Sequence, residues 1–299
     1  MRALPILQTI PGGGSGFGLS YWESWLGCGK KVVLEAGAKK KNDGTKVAHF
    51  EVGTVYHALQ ELYLKRGKRP LDLAAIEFSQ VVDEKERLEG ERLFRAYRGE
   101  FDADDLGKMI TTEETAPKLV IERDNSLLIP IVGPYNQEIE EACGVWPLTI
   151  KPDAVNQLNA RDVRRLRKDR RTYDPHKALR PGYWIIDHKT AGGEDTGFFE
   201  RFMNSWIFVS QPVVWNIVHP KRPVLGCIVN AITKDKTPSF HRVVIPFPNA
   251  ERIAGLKQYL QLCKRHRDVF GGQPKPSEMN CFPKFGTCRW YLDGLCKRV

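Results

Sequence analysis

Residues 182–189, GYWIIDHK, constrain the fold more than any other stretch of the chain. Aromatic and β-branched side chains mark them as a strand. The run ends in Asp187 and Lys189, where a strand would rather be apolar. Residues two apart share a face, so Asp187 and Lys189 project one way and His188 the other. A third charged residue, Asp153, follows Ile150-Lys151-Pro152 and precedes Ala154-Val155 in another β-rich run. Two carboxylates and an ammonium on neighbouring strands form the set that phosphodiester cleavage uses. The carboxylates hold a divalent cation, and the ammonium sits near the attacking water and the developing charge. Taken alone, D-x-K is in most proteins an ion pair on an exposed sheet face.

Around this strand the periodicity predicts helices, then strands, then alternating helix and strand. A first helix begins at or near Ser20 and carries Cys28 near its far end. Val52, Val55, Tyr56, Leu59, Leu62 and Tyr63 make residues 51–65 an amphipathic helix, with His57 on or beside its apolar face. A third helix is expected over 74–97. Short β-rich runs follow at 118–121, 127–132 and 145–155. Residues 198–218 read as one apolar helix, 224–233 and 239–247 as a hairpin turning at 235–238, and 250–270 as the last helix. The expected fold is α/β (α+β), a central mixed β-sheet flanked by helices. Residues 1–18 read as a flexible segment and 19–299 as a single domain. That domain comprises a helical part (19–105), a core (106–272) and a cysteine-bearing end (273–299).

The balance of 46 Lys and Arg against 36 Asp and Glu, a net +10, suits a polyanionic partner. A basic enzyme with no nucleic acid partner has the same composition. No apolar run reaches the roughly 20 residues of a membrane helix. The apolar stretch before Pro11 is too short for a secretory signal, so a cytoplasmic protein is expected. A P-loop, a dinucleotide fingerprint and a G-x-S-x-G elbow are absent, which removes the common signatures of an unrelated metabolic enzyme.

Lys151-Pro152-Asp153 followed by Ile186-Asp187-His188-Lys189-Thr190 resembles the PD-(D/E)XK motif of RecB-family nucleases, in which a hairpin joins the two halves. Gly53-Thr54-x-x-His57 resembles that family's helical G-T-x-x-H motif. Residues 205–215 resemble its Q-x-x-x-Y motif, with Gln211 in place and Trp215 where Tyr is usual. The resemblance implies a restriction-endonuclease-like core and a Mg²⁺- or Mn²⁺-dependent deoxyribonuclease, an exonuclease on DNA ends or single strands. Its setting would be DNA repair, recombination or phage DNA processing. It implies metal ligation by His57, Asp153, Asp187 and the His188 backbone carbonyl, with Lys189 acting on the water or the developing charge and Gln211 positioning Lys189 or a phosphate. Read singly, His57 is as well a hydrogen-bonded core histidine, and Gln211 a solvated helix residue. The alternative function is a catalytically inactive DNA-end-binding subunit working with a helicase. A recombinase or a single-strand-binding protein is a further partner class. The oligomeric state is open.

Cys281, Cys288 and Cys296 lie close together at the C-terminal end, and with Cys28 they would complete four ligands. One early and three late cysteines resemble the iron-sulphur members of the family, including AddB and the CRISPR-adaptation nucleases, which implies a structural four-iron cluster closing the chain ends. The C-x6-C-x7-C spacing departs from theirs, leaving Zn²⁺ or unligated thiols as alternatives. Cys143, Cys227 and Cys263 read as small core residues. Between the halves of the motif, residues 160–180 read as a basic loop. Arg164, Arg165, Arg167, Lys168, Arg170 and Arg171 in it are candidates for gripping a DNA backbone, against the ordinary fate of a solvated charged loop.

Overall fold

The computed structural model of the protein describes residues 51–65, 84–101, 108–112 and 152–270, short strands at 119–121, 128–130 and 146–148, and positions 71, 73, 106 and 150. Two compact units are present, one of residues 46–115 and 151–248 and one of 1–45, 116–150 and 249–299.

The first unit is a mixed sheet flanked by helices. Its described elements in chain order begin with α1 (Glu51–Lys65), α2 (Glu84–Glu100) and β1 (Lys108–Thr112). The strands β2 (Leu119–Ile121), β3 (Leu128–Pro130) and β4 (Trp146–Leu148) belong to the second unit. The first resumes with β5 (Ala154–Leu158), α3 (Ala160–Lys168), β6 (Thr172–Tyr173), β7 (Gly182–Ala191), α4 (Phe198–Met203), α5 (Trp206–Val218), β8 (Val224–Thr233) and β9 (Phe240–Pro246). Its six strands run in the order β1-β5-β7-β8-β9-β6. β5 and β7 pair antiparallel. β7 and β8 are parallel, which a short turn cannot achieve; α4 and α5 supply the crossover. β8 and β9 form the expected hairpin, closed where Thr233 and Ser239 exchange hydrogen bonds.

Register sorts the side chains. Trp184, Ile186, His188 and Thr190 share one face of β7 with Ile228, Asn230 and Ile232 of β8 and Arg242 and Val244 of β9. Two hydrophobic clusters cover it. Ala154, Leu158, Trp184 and Ile186 pack with Val163 and Leu166 of α3, and α1 and α2 form the other around Val55, Tyr56, Leu59, Leu93 and Tyr97, reaching Ile232. The opposite face carries Ile185, Asp187 and Lys189 and meets α4 and α5. Opposite Trp184, β8 fits two residues, Leu225 and Gly226, a bulge that puts Gly226 at φ +147. A Cβ there would stand 2.1 Å from the Ile245 carbonyl, so only glycine is accommodated.

Several expectations change. Residues 160–180 are a loop only in part, since 160–168 are helix and 172–173 strand. Asn159 caps α3 through a capping box with Asp162, Val163 and Leu166 bury one face, and β6 adds to the sheet edge beside β9. The run 145–155 is two strands in two sheets, β4 and β5. Pro152, which has no amide hydrogen for a ladder, stands between them. The run 198–218 is two helices because Ser205 starts α5, its Oγ accepting the Ile207 N–H at 3.3 Å. β1 was not anticipated at all. The third helix is described from Glu84, and the first lies outside the described residues.

In the second unit, β3-β2-β4 form an antiparallel three-stranded sheet, and α6 (Ala250–Phe270) follows with Leu256, Leu260 and Cys263 buried. No helix among the described residues is long and apolar enough to cross a membrane.

Candidate active site

β5 begins at Ala154, opposite Ile186, whereas β7 runs on to Ala191. That length difference leaves a notch along Asp187–Ala191. Extending the register by one residue sets Asp153 across from Asp187. The His188 N–H donates to Asp153 Oδ2 at 2.6 Å. In a strand the N–H and C=O of one residue point to the same side, so the His188 carbonyl also faces the notch.

Helix α1 fills the other side of it. Gly53 makes that approach possible, since a Cβ there would lie 3.2 Å from Thr190 Oγ1. One helical turn on, His57 reaches Asp153, Nδ1 to Oδ2 at 3.2 Å. The two motif halves and the helical motif thus meet at Asp153. On the opposite face, Lys189 Nζ pairs with Asp187 Oδ1, and Gln211 Nε2 of α5 donates to Asp187 Oδ2 at 3.1 Å. The sequence puts Pro212 beside Gln211, inside α5. Lacking an N–H, it leaves the Phe208 carbonyl without its helical donor. The buried Cys227 thiol lies 3.8 Å from that carbonyl and 3.9 Å from Gln211 Oε1.

Charge is concentrated here, with Asp187 buried and Asp153, His57 and Lys189 half-buried. Asp187 is 2% exposed. Burial raises its pKa, the Lys189 ammonium works the other way, and the Asp153 charge raises it again. Burial also opposes ionisation of Asp153, but His57 and Lys189 hold it well below the usual carboxylate range. For Lys189, the two carboxylates outweigh burial and raise the pKa. For His57, Asp153 does the same. His188, with its ring against those of Tyr56 and Tyr97, is pushed down to about 3 by burial and stays neutral.

No family model matches the chain, and no curated protein matches it. Among solved structures it is similar to a protein from Eubacterium rectale described as a candidate exonuclease, at 12% identity and TM-score 0.45, covering 88% of this chain and 85% of that one. A likeness of that size fixes no chemistry.

Asp153, Asp187, Lys189, Gln211 and His57, five residues singled out in the sequence, therefore converge in one unit. Trp215 is buried and donates its indole N–H to the Arg222 carbonyl at 3.0 Å. Cys28, Cys281, Cys288 and Cys296 lie outside the described residues, as does Cys143. Of the basic residues, Arg164, Arg165, Arg167, Lys168 and Arg170 are exposed on and after α3. Arg167 donates to the Leu179 carbonyl at 2.5 Å, and Arg165 pairs with Asp162 at 3.4 Å. Arg171 differs. It pairs with Asp169 and with Glu100 and lies over the Phe101 ring. Sequence reasoning missed Cys227 beside Gln211 and the buried polar residues behind β7. Register across three strands was the signal for the latter, and a single strand does not carry it.

Proposed function

We propose that the chain is a divalent-metal-dependent nuclease that hydrolyses phosphodiester bonds in DNA, acting on ends or single strands. The observation that supports this most directly is the pairing of two carboxylates, buried Asp187 and half-buried Asp153, with Lys189 beside them at the open end of β7.

Oxygen donors of this kind suit a hard cation, and a divalent ion would offset both the burial and the Asp153 charge that raise Asp187. Among the described residues, no three His, Cys, Asp or Glu side chains surround one point. Each carboxylate is instead closed by a neighbour, Asp187 by Lys189 and Asp153 by His57. Asp153, Asp187, His57 and the His188 carbonyl would hold Mg²⁺ or Mn²⁺, with Lys189 giving up Asp187. The ion would supply charge neutralisation at the phosphate and a more acidic bound water. Lys189, released from Asp187, would orient the attacking water or meet the charge growing on the phosphoryl oxygens. Gln211 holds Asp187 in place by its second oxygen. The exposed arginines of α3 offer sequence-independent contacts to a phosphate backbone. A structural four-iron cluster or Zn²⁺ at Cys28, Cys281, Cys288 and Cys296, and a helicase, recombinase or single-strand-binding partner, belong to the same proposal.

The test is degradation of end-labelled single- and double-stranded DNA by anaerobically purified protein with Mg²⁺, Mn²⁺ or EDTA, beside Asp187→Asn and Lys189→Ala proteins shown by circular dichroism to be folded. Metal-dependent cutting, abolished by EDTA and reduced by ~10²-fold or more in either variant, is expected. DNA binding without cutting by the wild type would instead favour the inactive end-binding subunit.

A further inference from the structure

Behind the catalytic strand lies a row of polar side chains that this proposal leaves unused. His188, Asn230 and Arg242 are register partners on β7, β8 and β9, so they stand side by side on the face away from Lys189. All three are buried, at 3%, 2% and 1% exposure. Arg242 has a counter-charge, Asp169 Oδ2 at 3.0 Å, and lies over the Phe101 ring. Among the described residues, His188 Nδ1 and both polar atoms of the Asn230 amide have no hydrogen-bond partner. Buried donors and acceptors are almost always paired, and a polar site with several convergent groups holds water. The neutral imidazole has one donor and one acceptor nitrogen, and the amide has both functions.

We propose that Asn230 is a positioning residue: with an internal water it fixes the His188 ring, and so holds the His188 main-chain N–H on Asp153. This rests on the nuclease reading. Tyr56 and Tyr97 present T-shaped contacts to the ring at 6.0 and 5.5 Å between centroids, with His57 6.4 Å away, and Asn230 stands beside it on β8. A displacement of the ring that moves its Cα is carried by the same residue into the amide that holds Asp153.

The discriminating variant is Asn230→Leu, with Asn230→Ser as the conservative one, both in the full chain. If Asn230 merely fills space, leucine removes two unpartnered polar atoms at similar volume, and stability and function hold. The proposal expects Asn230→Leu to keep its fold and DNA affinity, to change the ¹⁵N shifts of the His188 ring, and to bind Mn²⁺ alone, read by electron paramagnetic resonance, ~10-fold more weakly or worse. Serine should recover part of the affinity. Unchanged ring shifts, or wild-type Mn²⁺ affinity in the leucine variant, overturn the proposal. A wild type that binds no Mn²⁺ overturns the nuclease reading beneath it.

Discussion

Asp187 is held by two groups of different kind, the Lys189 ammonium and the Gln211 amide, so removing either leaves a buried carboxylate underpaired. Gln211→Ala should lower cleavage by ~10- to 100-fold while leaving DNA affinity unchanged, measured as a kcat against KM split. His188 gives a pH prediction. Its folded pKa is about 3. Between that value and the ordinary ~6.5 the unfolded chain takes up a proton and the folded one does not, so this contribution to stability is complete above ~6.5 and lost as pH falls. Its slope approaches ~1.4 kcal/mol per pH unit. His57, raised by Asp153, works in the opposite sense, adding stability at low pH that fades as pH rises. Comparing urea unfolding of wild type and His188→Phe between pH 7 and 5 isolates the first; the variant should show the weaker loss on acidification. At this scale the site was largely legible, because Asp153, Asp187 and Lys189 are charges in strand-like runs. Asn230 was not, since an Asn in an apolar strand has no visible partner until the register is known.

At the scale of elements, Gly53 sets how closely α1 approaches β7. Alanine there gains ~1 kcal/mol of helix propensity but puts a methyl 3.2 Å from Thr190 Oγ1, a contact that must yield by a few tenths of an ångström. Gly53→Ala should therefore change the melting temperature little, yet lower nuclease activity by moving His57 off Asp153. Gly53→Leu should cost ~1–3 kcal/mol in denaturant unfolding. Helix α1, strand β7, the β8–β9 hairpin and α6 were readable from period and turn residues, the ends of α1 and β8 included. Helix α3 was hidden by its own charge. Nine residues with five cations look solvated, although Asn159, Asp162, Val163 and Leu166 carry the cap and the buried face. The division at Ser205 was masked by apolar residues on both sides, and β1 is a short edge strand whose side-chain alternation is too brief to read.

Across the whole molecule, the net charge of +10 is not spread evenly, and α3 with Arg170 presents a dense exposed share of it. Reversing Arg164 and Lys168 to glutamate should weaken DNA binding at low salt. It should also flatten the plot of log affinity against log salt by roughly 0.7–0.9 for each phosphate no longer neutralised. Arg171→Glu should act differently. With Asp169, Glu100 and Phe101 as its neighbours, it should lower the melting temperature more than it changes the salt slope. The late start of β5 has one last consequence. Part of the site's wall along the notch is peptide bond, and no substitution of side chains deletes a peptide bond. A survey by alanine would pass over the His188 carbonyl in silence, while exchange of a single amide for an ester by chemical synthesis would bring it into view.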